Sequence, residues 1–199
     1  MSQSDGLPSN WGRWGKDDER GTLNLVTDEV RARAAHEVRT GRSVSLALPI
    51  HPAPLMSGPF ARDTAEESPV QLIMVYTPSP VYAMADMALV TNHHPRSTHL
   101  DALGHMVSDG HVYPGRPLGE SMTLPGDIGD AVPPLDSAVP APLHFVGLHK
   151  MGLPLIDSAK VDDLAVVCAQ LSRYSFLLAV APPRIHGMTG VPVNPLAIF

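Results

Sequence analysis

The spacing of apolar residues predicts two helices. For the first, Thr27 is a typical N-cap, Asp28 and Glu29 place negative charge in the first turn, and Gly41 ends the pattern. The second is predicted near 160–171, where apolar side chains recur at helical spacing and predict one face packed on a sheet. Both helices are therefore expected on the outside of a layered fold.

Apolar runs of strand length separate and follow these helices. The predicted strands are 43–50, 70–77, 81–90, 144–150 and 174–181. Pro78 and Pro80 separate the second strand from the third, because a proline cannot donate to a sheet ladder. Helices alternating with several short strands predict an α/β fold that has a mixed sheet and few helices.

Irregular segments join these elements, as 21 prolines and 16 glycines in 199 residues lead one to expect. An N-terminal arm is predicted over 1–22, with Trp11 and Trp14 docked on the body of the protein. A long loop is predicted over 51–69, and a Pro- and Gly-rich connection over 117–143. The length fits a single domain, 1–199.

Composition excludes several classes of protein. A net charge of -6 without clustered Lys and Arg argues against a nucleic-acid partner, so a small-molecule substrate is expected. No apolar run approaches the ~18–20 residues of a membrane span, and the N-terminus lacks a signal-peptide pattern, so a cytoplasmic protein is expected. The single cysteine, Cys168, has no intramolecular disulfide partner and is interpreted as a buried thiol.

The main chemical signal is a concentration of histidines. Five of the ten histidines fall within nineteen positions: His93, His94, His99, His105 and His111. His99 and Asp101 are two residues apart and share a face if they lie on a strand, and a helical turn after Asp101 would return His105 to that face. Single histidines are more often surface or core residues, but this density favours a metal site.

Two imidazoles and a carboxylate suit a divalent ion such as Zn²⁺ or Mn²⁺. In a catalytic site such an ion lowers the pKa of bound water and polarises a carbonyl, while a histidine that is not a ligand moves protons. The residues alone therefore predict a metal-dependent enzyme.

The segment 97–105, STHLDALGH, resembles the H-x-G-T-H-x-D-x-x-x-H signature of the cyclase family that includes kynurenine formamidase and isatin hydrolase. The segments 10–27, 108–115, 147–157 and 181–199 are also similar to longer bacterial members. The resemblance implies a compact cyclase-like domain of the swivelling β/β/α type. It also implies metal-dependent attack of water on an amide, lactam or ester carbonyl.

The resemblance further assigns roles to individual residues. His99 and Asp101 match metal ligands, and His105 matches the histidine of proton transfer. His144 and Asp157 resemble the later histidine and acidic residue that serve a proton relay or a second metal. We expect a catalytic role for His144 and a metal-ligand role for Asp157, although Asp157 could instead supply negative charge or a cap to the following helix.

The chain departs from the family pattern in two places. Pro95 stands where the first histidine of the signature is expected, so His93 or His94 must substitute, and His94 is the predicted ligand. The central block of strands between Gly119 and His144 is absent, which would leave sheet edges open and predicts a homodimer or higher oligomer. Two other functions stay open: a ring-closing or dehydrating cyclase of secondary metabolism, and a ligand- or partner-binding protein without turnover.

Overall fold

The protein was analysed as a computed structural model that describes residues 6–54, 68–81, 83–121, 141–185 and 187–199. The strands are β1 (Ser43–Ser45), β2 (Ala53–Pro54), β3 (Val70–Tyr76), β4 (Met84–Val90), β5 (His99–Asp101), β6 (His111–Val112), β7 (Arg116–Pro117), β8 (Ile156–Asp157), β9 (Leu177–Ala179), β10 (Gly190–Pro192) and β11 (Leu196–Ile198). The α-helices are α1 (Asp28–Ala35), α2 (Leu118–Ser121), α3 (Pro142–His144) and α4 (Asp162–Leu171). Two 3₁₀ turns (Gly21–Leu25 and Leu103–His105) and a π-helical segment (Phe145–Lys150) complete the described elements.

The described strands form four small sheets. Their strand orders are β1-β11-β9, β10-β5-β8, β2-β3-β4 and β6-β7, with antiparallel pairing everywhere except between β2 and β3. One core lies between the first sheet and α4, formed by Val44, Leu46, Val167, Cys168, Ala197 and Phe199. The face predicted for this helix is the buried one, and Cys168 is a buried free thiol.

The N-terminal arm docks on the π-helical segment. The backbone amide of Asn10 donates to the carbonyl of Lys150 (2.9 Å), and the indole N–H of Trp11 donates to the carbonyl of His149 (2.5 Å). The amide of Thr22 donates to the carbonyl of Gly152 (2.7 Å). Trp11 therefore docks as predicted, whereas Trp14 lies 4.8 Å from the guanidinium of the neighbouring Arg13.

Several predicted elements have different bounds in the structure. Thr27 caps α1 as predicted, its hydroxyl accepting from the amide of Val30 (3.3 Å), but the helix ends at Ala35. The strands predicted over 43–50, 81–90 and 174–181 shorten to β1, β4 and β9, while β3 matches its prediction closely. The tail, predicted as turns, contributes β10 and β11, whose prolines and glycine disguise their short apolar runs.

The strand predicted over 144–150 is wrong, because this segment is helical. Phe145, Leu148 and His149 recur at helical spacing and are all buried, so the apolar run belongs to a helix face. Of the other predicted irregular segments, residues 55–67 and 122–140 lie outside the described part of the chain. Within the described residues, no helix is both long enough and apolar enough to span a bilayer.

Candidate metal centre

Strand β5 positions the first two predicted ligands. It runs between β10 and β8, which place Gly190 opposite Asp101 and Asp157 opposite His99. Because alternate residues of a strand share a face, His99 and Asp101 point the same way, and they are 4% and 1% exposed. The predicted shared face is therefore present, and strand pairing places Asp157 beside it.

Two further histidines reach this face from irregular backbone. His105 ends the 3₁₀ turn after β5, one turn beyond Asp101, as the spacing indicates. His93 has a left-handed backbone (φ 58°), and its ring stacks on that of His105 with centroids 3.8 Å apart. The Nδ1 atom of His93 lies 2.7 Å from Oδ1 of Asp101, and Nε2 of His99 lies 3.6 Å from that oxygen.

His144 completes the cluster from the end of α3. Its Nε2 lies 2.8 Å from Oδ2 of Asp157 and 3.4 Å from Oδ2 of Asp101. The cavity above these groups has a volume of about 260 Å³. Its lining consists of His93, Pro95, His99, Asp101, His105, His144, Asp157 and Ser158.

Burial and hydrogen bonding set the protonation of these groups. Nδ1 of His99 lies 2.7 Å from the Ser97 carbonyl oxygen, which only accepts, so Nδ1 carries the proton and Nε2 presents its lone pair. Burial lowers the pKa of His105, and the neighbouring imidazoles of His93 and His144 act in the same direction while Asp101 opposes them. Both conditions favour neutral imidazoles.

The central carboxylate fits a cation. Both oxygens of Asp101 and Nδ1 of His93 are buried, and none of the three has an aligned hydrogen bond to a described residue. A buried carboxylate left in this way is costly unless a cation compensates it. Two groups of donors share Asp101, one with His93 and His105 and the other with His99 and Asp157, and within each group the ligand atoms lie within 4.8 Å of one another. These residues fit a divalent ion.

One predicted ligand lies elsewhere. His94 does not line the cavity, and its Nδ1 accepts from the amide of Arg96 (3.1 Å), whereas His93 lies where a substitute for the signature histidine was expected. The sequence reasoning also missed Thr189, whose hydroxyl lies 3.1 Å from Nε2 of His93, and Gly190. An available signal was the pair Thr189-Gly190 in the tail, since a glycine in a strand often marks a close approach.

Comparison with known proteins supports the architecture. No model of a known protein family matches the sequence, and no curated protein matches it. The chain superimposes on a crystal structure described as that of a novel cyclase, with a TM-score of 0.73 and 22% sequence identity, over 96% of this chain and 100% of the other. The chain has a cyclase-like fold. The kinship to kynurenine formamidase and the missing central block stay predictions.

Proposed function

We propose that this protein is a metal-dependent hydrolase that attacks an amide, lactam or ester carbonyl. The observation that carries the proposal is the buried carboxylate of Asp101, which lacks an aligned hydrogen bond to the described residues and is surrounded by the imidazoles of His93, His99, His105 and His144. The sequence resemblance to formamidases and the cyclase-like fold support the same class of reaction.

The residues suited to hold the ion are His99 through Nε2, Asp101 and Asp157, with His93 completing the set through Nδ1. A divalent ion there would polarise a carbonyl and lower the pKa of a water molecule. Thr189 and the Ser97 carbonyl each contact the second ring nitrogen of one of these histidines, and such contacts orient ligands.

The two remaining histidines are suited to proton transfer. His105 lies against His93 at the cavity wall and can accept the proton of the attacking water on a neutral imidazole. Nε2 of His144 faces the carboxylates, and its contact with Asp157 orients the ring so that it can deliver a proton to the leaving group. The cavity lies at the small end of ligand sites, which are typically about 300–1,000 Å³, and so suits a small substrate.

A ring-closing or dehydrating reaction is the second candidate, favoured by the description of the structural neighbour as a cyclase. The same groups would serve it, because general acids and bases work in both directions. Reaction in H₂¹⁸O separates the two: hydrolysis incorporates one labelled oxygen into the product, whereas ring closure with loss of water incorporates none.

The first test is metal content. Protein purified with chelator and titrated with Zn²⁺ or Mn²⁺ is expected to bind at least one ion per chain, and His99→Ala and Asp101→Asn should lose it. His94→Ala is the matched control because His94 lies outside the cavity. Stoichiometric binding that survives both of the first two substitutions would refute the centre.

The second test is turnover of p-nitrophenyl acetate, formanilide and isatin as representative ester, amide and lactam. His105→Ala is expected to keep the ion and to lose about 10²–10⁴ in kcat, the usual contribution of a general base. Loss of the ion in that variant would instead make His105 a ligand. A metal-loaded protein that turns over none of the three classes would favour a binding protein without turnover.

A further inference from the structure

Strands β3 and β4 form a hairpin of seven antiparallel residue pairs, from Val70 with Val90 to Tyr76 with Met84. We call residues 70–90 the hairpin arm. The third strand of this sheet, β2, pairs only with Gln71 and Leu72, and β4 has no second neighbour among the described strands. Most of the arm therefore has open backbone edges.

The arm is apolar on both faces. Nine of its large apolar side chains are between 37% and 69% exposed: Ile73, Met74, Val75, Tyr76, Val81, Met84, Met87, Leu89 and Val90. Because side chains alternate along a strand, Ile73 and Met87 lie on one face and Tyr76 and Met84 on the other. Asp86 is the only charged residue in the two strands. Strands that are apolar on both faces are typical of a sheet covered on both sides.

Such an arm requires a cover. A two-stranded hairpin is at best marginally stable alone in water, and open apolar edges invite pairing with another chain. At roughly 100 Å² for each exposed side chain, the apolar surface of the arm is comparable to the ~800 Å² that each partner buries in a standard interface. The area is thus sufficient for a stable complex.

The charge distribution favours a second copy of this chain as the cover. The net charge of -6 disfavours nucleic acid and anionic membranes, and it also makes two copies repel each other except through a surface that carries little charge. The arm is such a surface. A two-fold axis brings the same patch of both copies together and allows each open edge to face the other. We propose that the hairpin arm is the interface between two copies of this protein.

The test is self-association of the full chain, measured by analytical ultracentrifugation. Wild-type protein at 10–100 μM is expected to contain at least two copies per particle, and Met87→Lys should weaken association at least tenfold. Val166→Lys is the matched control, because Val166 is exposed to a similar extent (56% against 60%) but lies on α4. It should associate like the wild type.

Hydrogen exchange on the wild type removes dependence on the folding of any variant. Protection of the amides of Met84–Val90 should rise with protein concentration. A wild-type monomer at 100 μM would overturn the proposal, and so would association that Met87→Lys leaves unchanged. Protection of these amides that is independent of concentration would overturn it too, since the cover would then come from the same chain.

Discussion

At the scale of single residues, the geometry of the metal centre depends on a glycine. A Cβ atom on Gly190 would lie 2.5 Å from Cε1 and 2.9 Å from Nε2 of His93. Gly190→Ala is therefore expected to displace this imidazole and to weaken metal binding by about 10–100-fold, the usual cost of disturbing the groups that orient a ligand. Competition with a chromophoric chelator measures the affinity.

Gly119→Ala provides the control, because nothing lies within 4 Å of a Cβ atom at that position. It should bind the ion as the wild type does. Unchanged affinity in Gly190→Ala would show that His93 does not contribute to the centre.

At the scale of elements, the arm at the N-terminus and the segment after the π-helix cross through two glycines. Gly152 has a φ of 62°, and a Cβ there would lie 2.5 Å from the ring of Tyr113. Gly152→Ala should lower the free energy of unfolding by about 2–4 kcal/mol, because backbone strain and overpacking add. Gly110→Ala shares the positive φ (72°) but has open space, so urea unfolding should show a loss of only about 1 kcal/mol. Equal losses would exclude the overpacking.

Asp18 fastens the same arm. Burial raises the pKa of Asp18, but hydrogen bonds from Asn24, the amides of Arg20 and Gly21, and the hydroxyl of Tyr113 outweigh burial and hold it below the ordinary 3.8. The unfolded chain therefore binds this proton first, and the stabilisation is complete above pH 3.8 and is lost as the pH falls through the lower folded pKa. The stability difference between wild type and Asp18→Asn, from urea unfolding, should shrink between pH 6 and pH 3.

The exposed neighbour Asp17 supplies the matched control. Asp17→Asn should differ from the wild type by a similar small amount at both pH values. A difference for Asp18→Asn that does not change with pH would show that its hydrogen bonds do not depend on ionisation.

At the scale of the whole molecule, the predicted single domain and the metal centre meet in one measurement. The C-terminal Phe199 is fully buried, and its carbonyl accepts from the amides of Thr40 and Gly41, so distant parts of the sequence share a core. We expect one cooperative unfolding transition. An ion at 100 times its Kd should raise the free energy of unfolding by about 2.7 kcal/mol, but not in Asp101→Asn. Calorimetry that resolves two independent transitions would contradict the single domain.

Local patterns predicted the elements unevenly. The cap at Thr27, the strand β3 and the buried face of α4 were predictable, because each depends on neighbours within a few residues. The helical segment Phe145–Lys150 was not, since a short apolar run suits a strand or a buried helix equally well. The strand β11 was also missed, because its central place in a sheet depends on pairing with β1, more than 150 residues earlier in the chain.

The sequence by itself determined that His99, Asp101 and His105 could meet, because strand alternation and one helical turn are local geometry. Only the tertiary structure decided that His93 rather than His94 lines the cavity, since that choice depends on a left-handed backbone at His93. It also decided the place of Asp157, which lies opposite His99 through long-range strand pairing and not at the cap of α4, a helix that begins at Asp162. Such pairings join residues far apart in the chain, and no local pattern encodes them.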